Sequence, residues 1–354
     1  MCDLVAGYVA TNASRPIYLS RQSPSVRILA QPFARRVIIC YTIMFNRIGL
    51  LVAAVVVLCT GCQRSGTSAS PTAASPITAS PNTHDTYAWA PCVVVQSPGG
   101  VAFNVQMAAA KRLELAGKLR WIRLNTSLDG AGLQYHLEAR RLGLNVMSIV
   151  HLKDLERAGW EQTFDALQAM YPTDIWEVAS EISNPDPAVN PVPITPDYYM
   201  QKFKALYDHV RTSYPAAVLA NAPPPGSGGA GPAELETFFQ QGLLDMNVVI
   251  ALNVYSNTTL SRYATVIDKY ATRLSGKRIW VTETGSANPD NQIAWVQEFY
   301  PRVVNSIHPE MICWYAMWGG DGVGSDNGFG LLDQVATGSP IERPLFKALV
   351  GSGS

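Results

Sequence analysis

Residues 248–254 read VVIALNV and residues 92–96 read CVVVQ, two runs that are apolar at nearly every position instead of alternating with polar residues. An unbroken apolar run is typical of a parallel strand that is buried on both faces. Short β-like runs recur eight times along the chain, at Cys92–Gln96, Trp121–Asn125, Val146–Val150, Ile175–Ala179, Ala217–Ala220, Val248–Asn253, Arg278–Thr282 and Ile312–Met317. The pattern predicts eight strands of a parallel sheet.

The segments between these runs have the apolar spacing of amphipathic helices. The clearest one begins with Thr195 as the expected N-cap and Pro196 in the first turn. Its expected buried face consists of Tyr199, Phe203, Leu206 and Val210. One strand-plus-helix unit takes about 33 residues, so eight units fill residues 86–354, which predicts a (β/α)8 TIM barrel. The alternative fold is an open, doubly wound α/β sheet.

The composition indicates a large buried core, because 47% of the residues are hydrophobic and only 15% are charged. The formal net charge is zero, but it is unevenly distributed. Residues 1–85 hold seven basic and two acidic residues, and residues 86–354 hold 20 basic and 25 acidic ones. A mildly acidic folded region does not favour a nucleic acid as partner.

The basic N-terminal region precedes Ile48–Thr60, thirteen residues without a charge. This segment is short for a membrane span and suits the apolar core of a signal peptide. It runs into Leu58-Cys59-Thr60-Gly61-Cys62, which resembles a bacterial lipobox and implies lipidation of Cys62. The alternative is a membrane anchor over residues 37–60. We expect a lipid-anchored, extracytoplasmic protein, held to a bacterial membrane and otherwise monomeric.

The chain divides accordingly into four regions. Residues 1–43 are expected to be an over-extended, unstructured start, since Met44 is a natural first residue, and residues 44–61 to be the lipoprotein signal peptide. Residues 62–85 are rich in Ser, Thr and Pro and predict an extended tether. Residues 86–354 form the predicted barrel domain.

Two of the strand ends predict a catalytic pair. The fourth run is followed by Ser180-Glu181 and the seventh by Glu283. Active sites of TIM barrels lie at the C-terminal ends of the strands, and strands four and seven face each other across the barrel mouth. Two carboxyl groups in different ionisation states can protonate a glycosidic oxygen and stabilise positive charge at the anomeric carbon. The alternative is that each glutamate pairs with an arginine or caps a helix.

Five segments resemble the motifs of the clan A retaining glycoside hydrolases. They are WIRL around Arg123, WEVASEISNP at 176–185, NVY at 253–255, IWVTETG at 279–285 and WYAMW at 314–318. The resemblance implies a β-linked oligo- or polysaccharide as substrate and retaining hydrolysis without a metal or cofactor.

The resemblance also implies a role for individual side chains. Glu181 would be the acid/base and Glu283 the nucleophile. Arg123 and Tyr255 would hold Glu283 ionised. The remaining expected substrate-binding residues are His151, Ser180, Asn253 and Trp318, the last of which would lie at the floor of the sugar site.

One residue departs from the family pattern: Ser180 stands where the clan has an asparagine that donates to the sugar 2-hydroxyl. A serine hydroxyl is shorter and has one donor instead of two. We therefore expect slowed hydrolysis, an unusual subsite or compensation by Asn184. The alternative function is a carbohydrate-binding barrel with impaired catalysis.

Three further features have a structural interpretation. Glu177 is expected to point into the barrel and pair with a buried arginine. Cys92 and Cys313 either form one disulfide or remain two buried thiols. The string GSGGAG at 226–231 matches a dinucleotide-binding pattern, but three prolines precede it, so it is interpreted as a rim loop.

Overall fold

The computed structural model describes residues 92–96, 100–184, 194–227, 229–320 and 326–351. Within them, eight parallel strands close into a barrel in sequence order, with β1 paired to both β2 and β8. The strands are β1 Cys92–Val95, β2 Trp121–Asn125, β3 Asn145–Val150, β4 Ile175–Val178, β5 Val218–Ala220, β6 Val249–Asn253, β7 Arg278–Thr284 and β8 Met311–Trp314. The (β/α)8 prediction is confirmed, and the open-sheet alternative is wrong.

Helices follow the strands and surround the barrel. They are α1 Val101–Leu115, α2 Leu133–Arg141, α3 Leu152–Leu155, α4 Trp160–Met170, α5 Pro196–Ser213, α6 Ala230–Gln240, α7 Asn257–Lys269, α8 Ala271–Leu274, α9 Gln292–Ala294, α10 Tyr300–Ile307 and α11 Pro344–Val350. Helix α5 begins as predicted, with the Thr195 side chain accepting from the Tyr198 amide at 3.3 Å. Its four predicted apolar residues are all buried.

The core has two parts, one on each side of the strands. The larger part lies between the strands and the helices. The smaller part lines the inside of the barrel, where small residues such as Ala220 and Ala251 leave room for Trp280. Trp280 and Trp121 pack edge to face, with ring centroids 4.9 Å apart.

A disulfide joins the first and last strands. Cys92 and Cys313 are Cα partners in the β1–β8 pair, both are fully buried, and their sulfur atoms are bonded. Of the two alternatives for these cysteines, the structure contains the bridge. It covalently closes the barrel at the strand pair that joins the two ends of the sheet.

Hydrogen bonds from Gln292 on α9 and from Arg343, just before α11, hold the chain segment that follows β8. Gln292 donates to the carbonyl oxygens of Gly328 and Gly330, and Arg343 donates to the same two carbonyls. The Trp314 indole donates to the Phe329 carbonyl at 2.9 Å. These bonds fix the Phe329 ring at the barrel mouth.

The predictions for the over-extended start, the signal peptide, Cys62 and the tether concern residues 1–85, which lie outside the described residues. Within the described residues, no helix combines the length and the apolar character that crossing a bilayer requires.

Candidate active site

The carboxylates of Glu181 and Glu283 belong to one site at the C-terminal end of the barrel. Asn253, the last residue of β6, is the Cα partner of Glu283 on β7. Its side-chain amide donates to Glu181 Oε1 at 2.9 Å. The β6–β7 register shifts between Leu252 and Asn253, which is a bulge-like irregularity of the kind that redirects side chains beside active sites. The Asn253 side chain therefore connects the two strand ends.

Two donors hold the Glu283 carboxylate. Arg123 Nη1 donates to Oε1 at 2.6 Å, and the Tyr255 hydroxyl donates to Oε2 at 2.9 Å. Only 13% of the Glu283 side chain is exposed. Burial raises the pKa of Glu283 to about 7, and the negative charges of Glu181 and Glu177 add to that effect, while the Arg123 charge and the Tyr255 hydrogen bond act in the lowering direction.

Arg123 lies between two carboxylates. Its Nε donates to Glu177 Oε2 at 2.8 Å, and its Nη2 donates to Glu177 Oε1. Glu177 is fully buried, and only 1% of Arg123 is exposed to solvent. Burial alone would lower the pKa of Arg123, but the charges of Glu177 and Glu283 outweigh it and raise the pKa above its ordinary value. Glu177 thus pairs with a buried arginine as predicted and orients it toward Glu283.

The Glu181 carboxylate is held by amides on its two oxygens. Besides the Asn253 bond on Oε1, Asn184 Nδ2 donates to Oε2 at 2.7 Å. The Gly226 backbone amide lies 3.4 Å from Oε1 and donates to it. The Glu181 amide in turn donates to the Pro223 carbonyl at 3.0 Å. Neutral donors therefore surround Glu181, whereas a cation contacts Glu283.

The backbone at the end of β4 is unusual. Ala179 and Glu181 both have left-handed conformations, with φ of 65° and 44°. For a residue with a side chain this conformation costs roughly 1–2 kcal/mol. Ser180 lies between them, and its Oγ accepts a hydrogen bond from Arg123 Nη2 at 3.3 Å. Strained backbone of this kind is concentrated at functional sites.

His151 directly follows β3, close enough to Arg123 for the arginine charge to affect its pKa. Burial lowers its pKa, so its ring is neutral near pH 7, and the Arg123 charge acts in the same direction. His151 lines a cavity of about 480 Å³ together with the residues that follow β2, among them Asn125 and Thr126. The cavity lies beside the ends of β2 and β3, and neither Glu181 nor Glu283 is among its lining residues.

Two of the residues expected to bind substrate are buried in the structure. Asn253 is fully buried and donates to Glu181, and its contact with a sugar stays a prediction. Trp318 is only 8% exposed and packs in the larger core, which leaves little ring surface for a substrate. The prediction extended the last strand to Met317, whereas β8 ends at Trp314, so the residues that follow it turn differently.

A second aromatic residue of the WYAMW motif, Tyr315, directly follows β8. Its peptide bond with Ala316 is cis, and its hydroxyl donates to Asp326 at 2.9 Å. Tyr315 is partly exposed, and burial together with the Glu283 charge raises its pKa. Tyr315 and Tyr255 both pack edge to face on Phe329, with centroid distances of 5.8 and 5.5 Å. Tyr315 belongs to the same WYAMW motif as Trp318, and the sequence analysis gave it no role.

Gly226 is a second residue that the sequence interpretation missed. A Cβ at this position would lie 2.5 Å from the Tyr255 ring and 2.7 Å from the Asn253 carbonyl carbon. The close approach lets the Gly226 carbonyl accept from the Tyr255 amide at 3.0 Å. The segment predicted as a rim loop therefore packs directly on the site. The three prolines at 223–225 were the sequence feature that could have indicated this contact.

Comparison with known proteins supports the fold. No protein-family model and no curated protein matches the sequence. Among solved structures, a calcium-binding mutant of Bacteroides uniformis beta-glucuronidase 2 is similar over 74% of this chain and 34% of that chain, at 11% identity and a TM-score of 0.51.

Two further solved structures are similar over most of their own length. A GH5-4 broad specificity endoglucanase from Clostridium longisporum has 16% identity over 69% of this chain and 84% of its own, with a TM-score of 0.48. A beta-mannanase from Thermomonospora fusca has 14% identity over 75% and 89%, with a TM-score of 0.47. At such identities the likeness extends to the barrel fold alone.

Proposed function

We propose that this protein is a retaining glycoside hydrolase that cleaves a β-linked oligo- or polysaccharide. The observation that carries the proposal is the pair of strand-end carboxylates in unlike surroundings. Glu283 receives a guanidinium and a phenol, whereas the donors that the described residues present to Glu181 in these bonds are amides. A nucleophile must be an anion when it attacks, and an acid must carry a proton, so the two environments match the two roles.

The first half of the reaction uses both groups. A Glu283 oxygen attacks the anomeric carbon, and the bond from that carbon to the glycosidic oxygen breaks. Glu181 transfers its proton to the departing oxygen, so the leaving group departs as an alcohol. The products of this step are a glycosyl ester on Glu283 and a Glu181 carboxylate.

The second half reverses these roles. The Glu181 carboxylate takes a proton from a water molecule as the water oxygen bonds to the anomeric carbon. The ester bond breaks and returns the electron pair to Glu283, where Arg123 and Tyr255 stabilise the anion. Two inversions at one carbon leave the configuration unchanged.

The proposed location is extracytoplasmic, with lipid on Cys62 and the barrel domain held away from the membrane by the tether. The buried Cys92–Cys313 disulfide supports this location, because stable disulfides are typical of oxidising compartments and rare in the cytosol.

Hydrolysis of aryl β-glycosides tests the assignment of Glu283. We expect Glu283→Ala to lower kcat by about 10⁴-fold or more, since covalent catalysis is lost, while the exposed Glu298→Ala retains full activity. Azide should rescue Glu283→Gly and release a glycosyl azide of inverted configuration. Unchanged turnover of Glu283→Ala would refute the proposal.

A second candidate function is glycan binding with impaired hydrolysis, and Ser180 is the observation that favours it. The Ser180 oxygen already accepts from Arg123, so a single short hydroxyl donor remains for a sugar. This alternative predicts glycan affinity by calorimetry without released product. It also predicts that Ser180→Asn raises turnover, whereas Ser213→Asn at the end of α5 does not.

A further inference from the structure

A second cavity, the basal cavity, lies at the end of the barrel where the strands begin. Its volume is about 340 Å³, and residues at the starts of β5, β6 and β7 line it, among them Val218, Val249 and Arg278. These strands are parallel, so their starts lie at the opposite end of the barrel from Glu181 and Glu283. The basal cavity is therefore separate from the proposed active site.

Three cations line the basal cavity, and no Asp or Glu is among the described residues that do so. Arg211 belongs to the last turn of α5, Lys277 precedes β7, and Arg278 begins that strand. Residues 86–354 as a whole hold more acidic than basic residues, 25 against 20, so the lining of this cavity is opposite in sign to its domain. A cavity lined by one sign of charge attracts ions of the other sign.

The bonds of Arg211 and Lys277 go to neutral groups. Arg211 donates to the carbonyl oxygens of Pro215, at 3.3 Å, and of Ala217, and its Nε is buried without a hydrogen-bond partner in the described part of the chain. Lys277 Nζ donates to the Met246 carbonyl at 2.7 Å. A carbonyl dipole compensates a cation less than a full negative charge does. Two positive charges at the cavity thus lack a carboxylate partner among the described residues.

The two guanidinium groups are held in place before any ligand binds. Arg278 Nε donates to Glu310 at 2.7 Å, and its guanidinium lies over the Trp280 ring, 4.9 Å from the centroid. The two Nη groups of Arg278 make no hydrogen bond to another described residue. Arg211 lies over the Tyr207 ring, 5.4 Å from the centroid. Stacking of this kind fixes the donors, which lowers the entropy cost of binding an anion.

We propose that the basal cavity binds a phosphate group. Its cations come from separate elements, so a matching anion presents oxygen atoms in several directions. A phosphate group is tetrahedral and anionic near pH 7, whereas a carboxylate is planar and its two oxygens can be satisfied by a single guanidinium. This site is independent of the proposed hydrolysis.

Two sources supply this chemistry, dissolved inorganic phosphate and the headgroup of an anionic phospholipid. Strand β1 begins at Cys92 and pairs in parallel with β2 and β8, so the chain enters the barrel at the end that holds the basal cavity. A lipid headgroup bound there would turn the proposed active site away from the membrane. The experiment below distinguishes the two sources.

Acetylation of lysines in the full wild-type chain, measured by mass spectrometry, tests the proposal without any substitution. Lys277 is partly exposed, and we expect its acetylation to slow about tenfold when its amine is bound to phosphate. Lys269, which pairs with Glu236 and does not line the cavity, is the control and should react at an unchanged rate.

The reaction is run in phosphate, in chloride of equal ionic strength, and with vesicles of phosphatidylglycerol or of phosphatidylcholine. Protection of Lys277 by dissolved phosphate identifies the free anion as a ligand. Protection by phosphatidylglycerol vesicles without protection by dissolved phosphate identifies the headgroup. Equal rates for Lys277 under all four conditions would overturn the proposal.

A matched pair of variants then tests whether the lining itself binds the ligand. We expect Lys277→Gln to weaken binding of the protecting ligand, inorganic phosphate or phosphatidylglycerol vesicles, by about tenfold. Arg273→Gln removes the same charge nearby, but Arg273 pairs with Asp245 and does not line the cavity, so its affinity should stay at the wild-type value. Equal losses in the two variants would mean that only overall charge matters and would overturn the proposal.

Discussion

At the scale of single residues, Arg123 determines how charge is distributed in the site. It contacts Glu177 through two nitrogens and Glu283 through one, so two buried carboxylates share a single positive charge. The third carboxylate, Glu181, accepts from the side-chain amides of Asn184 and Asn253. The site therefore has an excess of negative charge, which favours binding one proton at pH values where isolated glutamates are ionised.

This charge balance predicts the acidic limb of the pH profile. The pKa of Glu283 is about 7, raised mainly by burial, and the nucleophile acts as the anion. We expect kcat/KM to fall about tenfold per pH unit below pH 7, because the ionised fraction falls in that proportion. Initial rates between pH 4 and pH 9 check it.

Tyr255→Phe provides the matched test of this limb. The Tyr255 hydroxyl stabilises the Glu283 anion, so its removal should move the acidic limb to higher pH. A limb centred near pH 4.5, or one that Tyr255→Phe leaves in place, would contradict the account of Glu283.

Residue positions were predictable from sequence to different degrees. The location of Glu181 and Glu283 followed from where two β-like runs end, because strand ends are local features. The positions of the Tyr315 and Trp318 side chains depend on where β8 stops and how the chain then turns against Phe329. Those are tertiary contacts, which the spacing of WYAMW does not encode. The burial of Asn253 was missed for the same reason.

At the scale of elements, the loop from Pro223 to Gly226 supports the site more than its composition suggests. It contacts Glu181 through the Pro223 carbonyl and the Gly226 amide, and it contacts the Tyr255 amide through the Gly226 carbonyl. Glycine at 226 is required because the loop approaches β6 closely. The loop thus connects Glu181 to Tyr255, whose hydroxyl donates to Glu283.

Gly226→Ala is therefore expected to disturb both groups. The added methyl would overlap the Asn253 backbone, so we expect a loss of about 1–3 kcal/mol in unfolding free energy and at least a tenfold fall in kcat/KM. Denaturant unfolding and kinetics measure the two effects. Gly229→Ala is the control, because its new methyl would meet only the flexible end of Arg262. Equal behaviour of the two variants would show that the close approach is unimportant.

At the scale of the whole molecule, the barrel is closed between its first and last strands. The eight-strand architecture was predictable because short β-like runs recur eight times with helical spacing between them, and two of these runs are apolar at nearly every position. The pairing of Cys92 with Cys313 was left open, since it depends on the register between β1 and β8, which lie more than two hundred residues apart. The bridge restricts the unfolded chain over almost the full length of the barrel.

Removing the bridge should destabilise the barrel. We expect the Cys92→Ala, Cys313→Ala double variant to lose about 2–5 kcal/mol in unfolding free energy, measured by denaturant titration. The wild type should shift in the same direction in reductant, and the double variant should not respond to reductant. An unchanged midpoint in the double variant would contradict a stabilising role for the bridge.

The central claim, that Glu181 and Glu283 act together in double displacement on one sugar, is tested most directly by the stereochemistry of the first product. Proton NMR can follow hydrolysis of an aryl β-glycoside from the first seconds, before the sugar mutarotates. The account predicts that the β-anomer is released first and that the α-anomer grows in later. Initial release of the α-anomer would mean that water attacks directly, and Glu283 would not be the nucleophile.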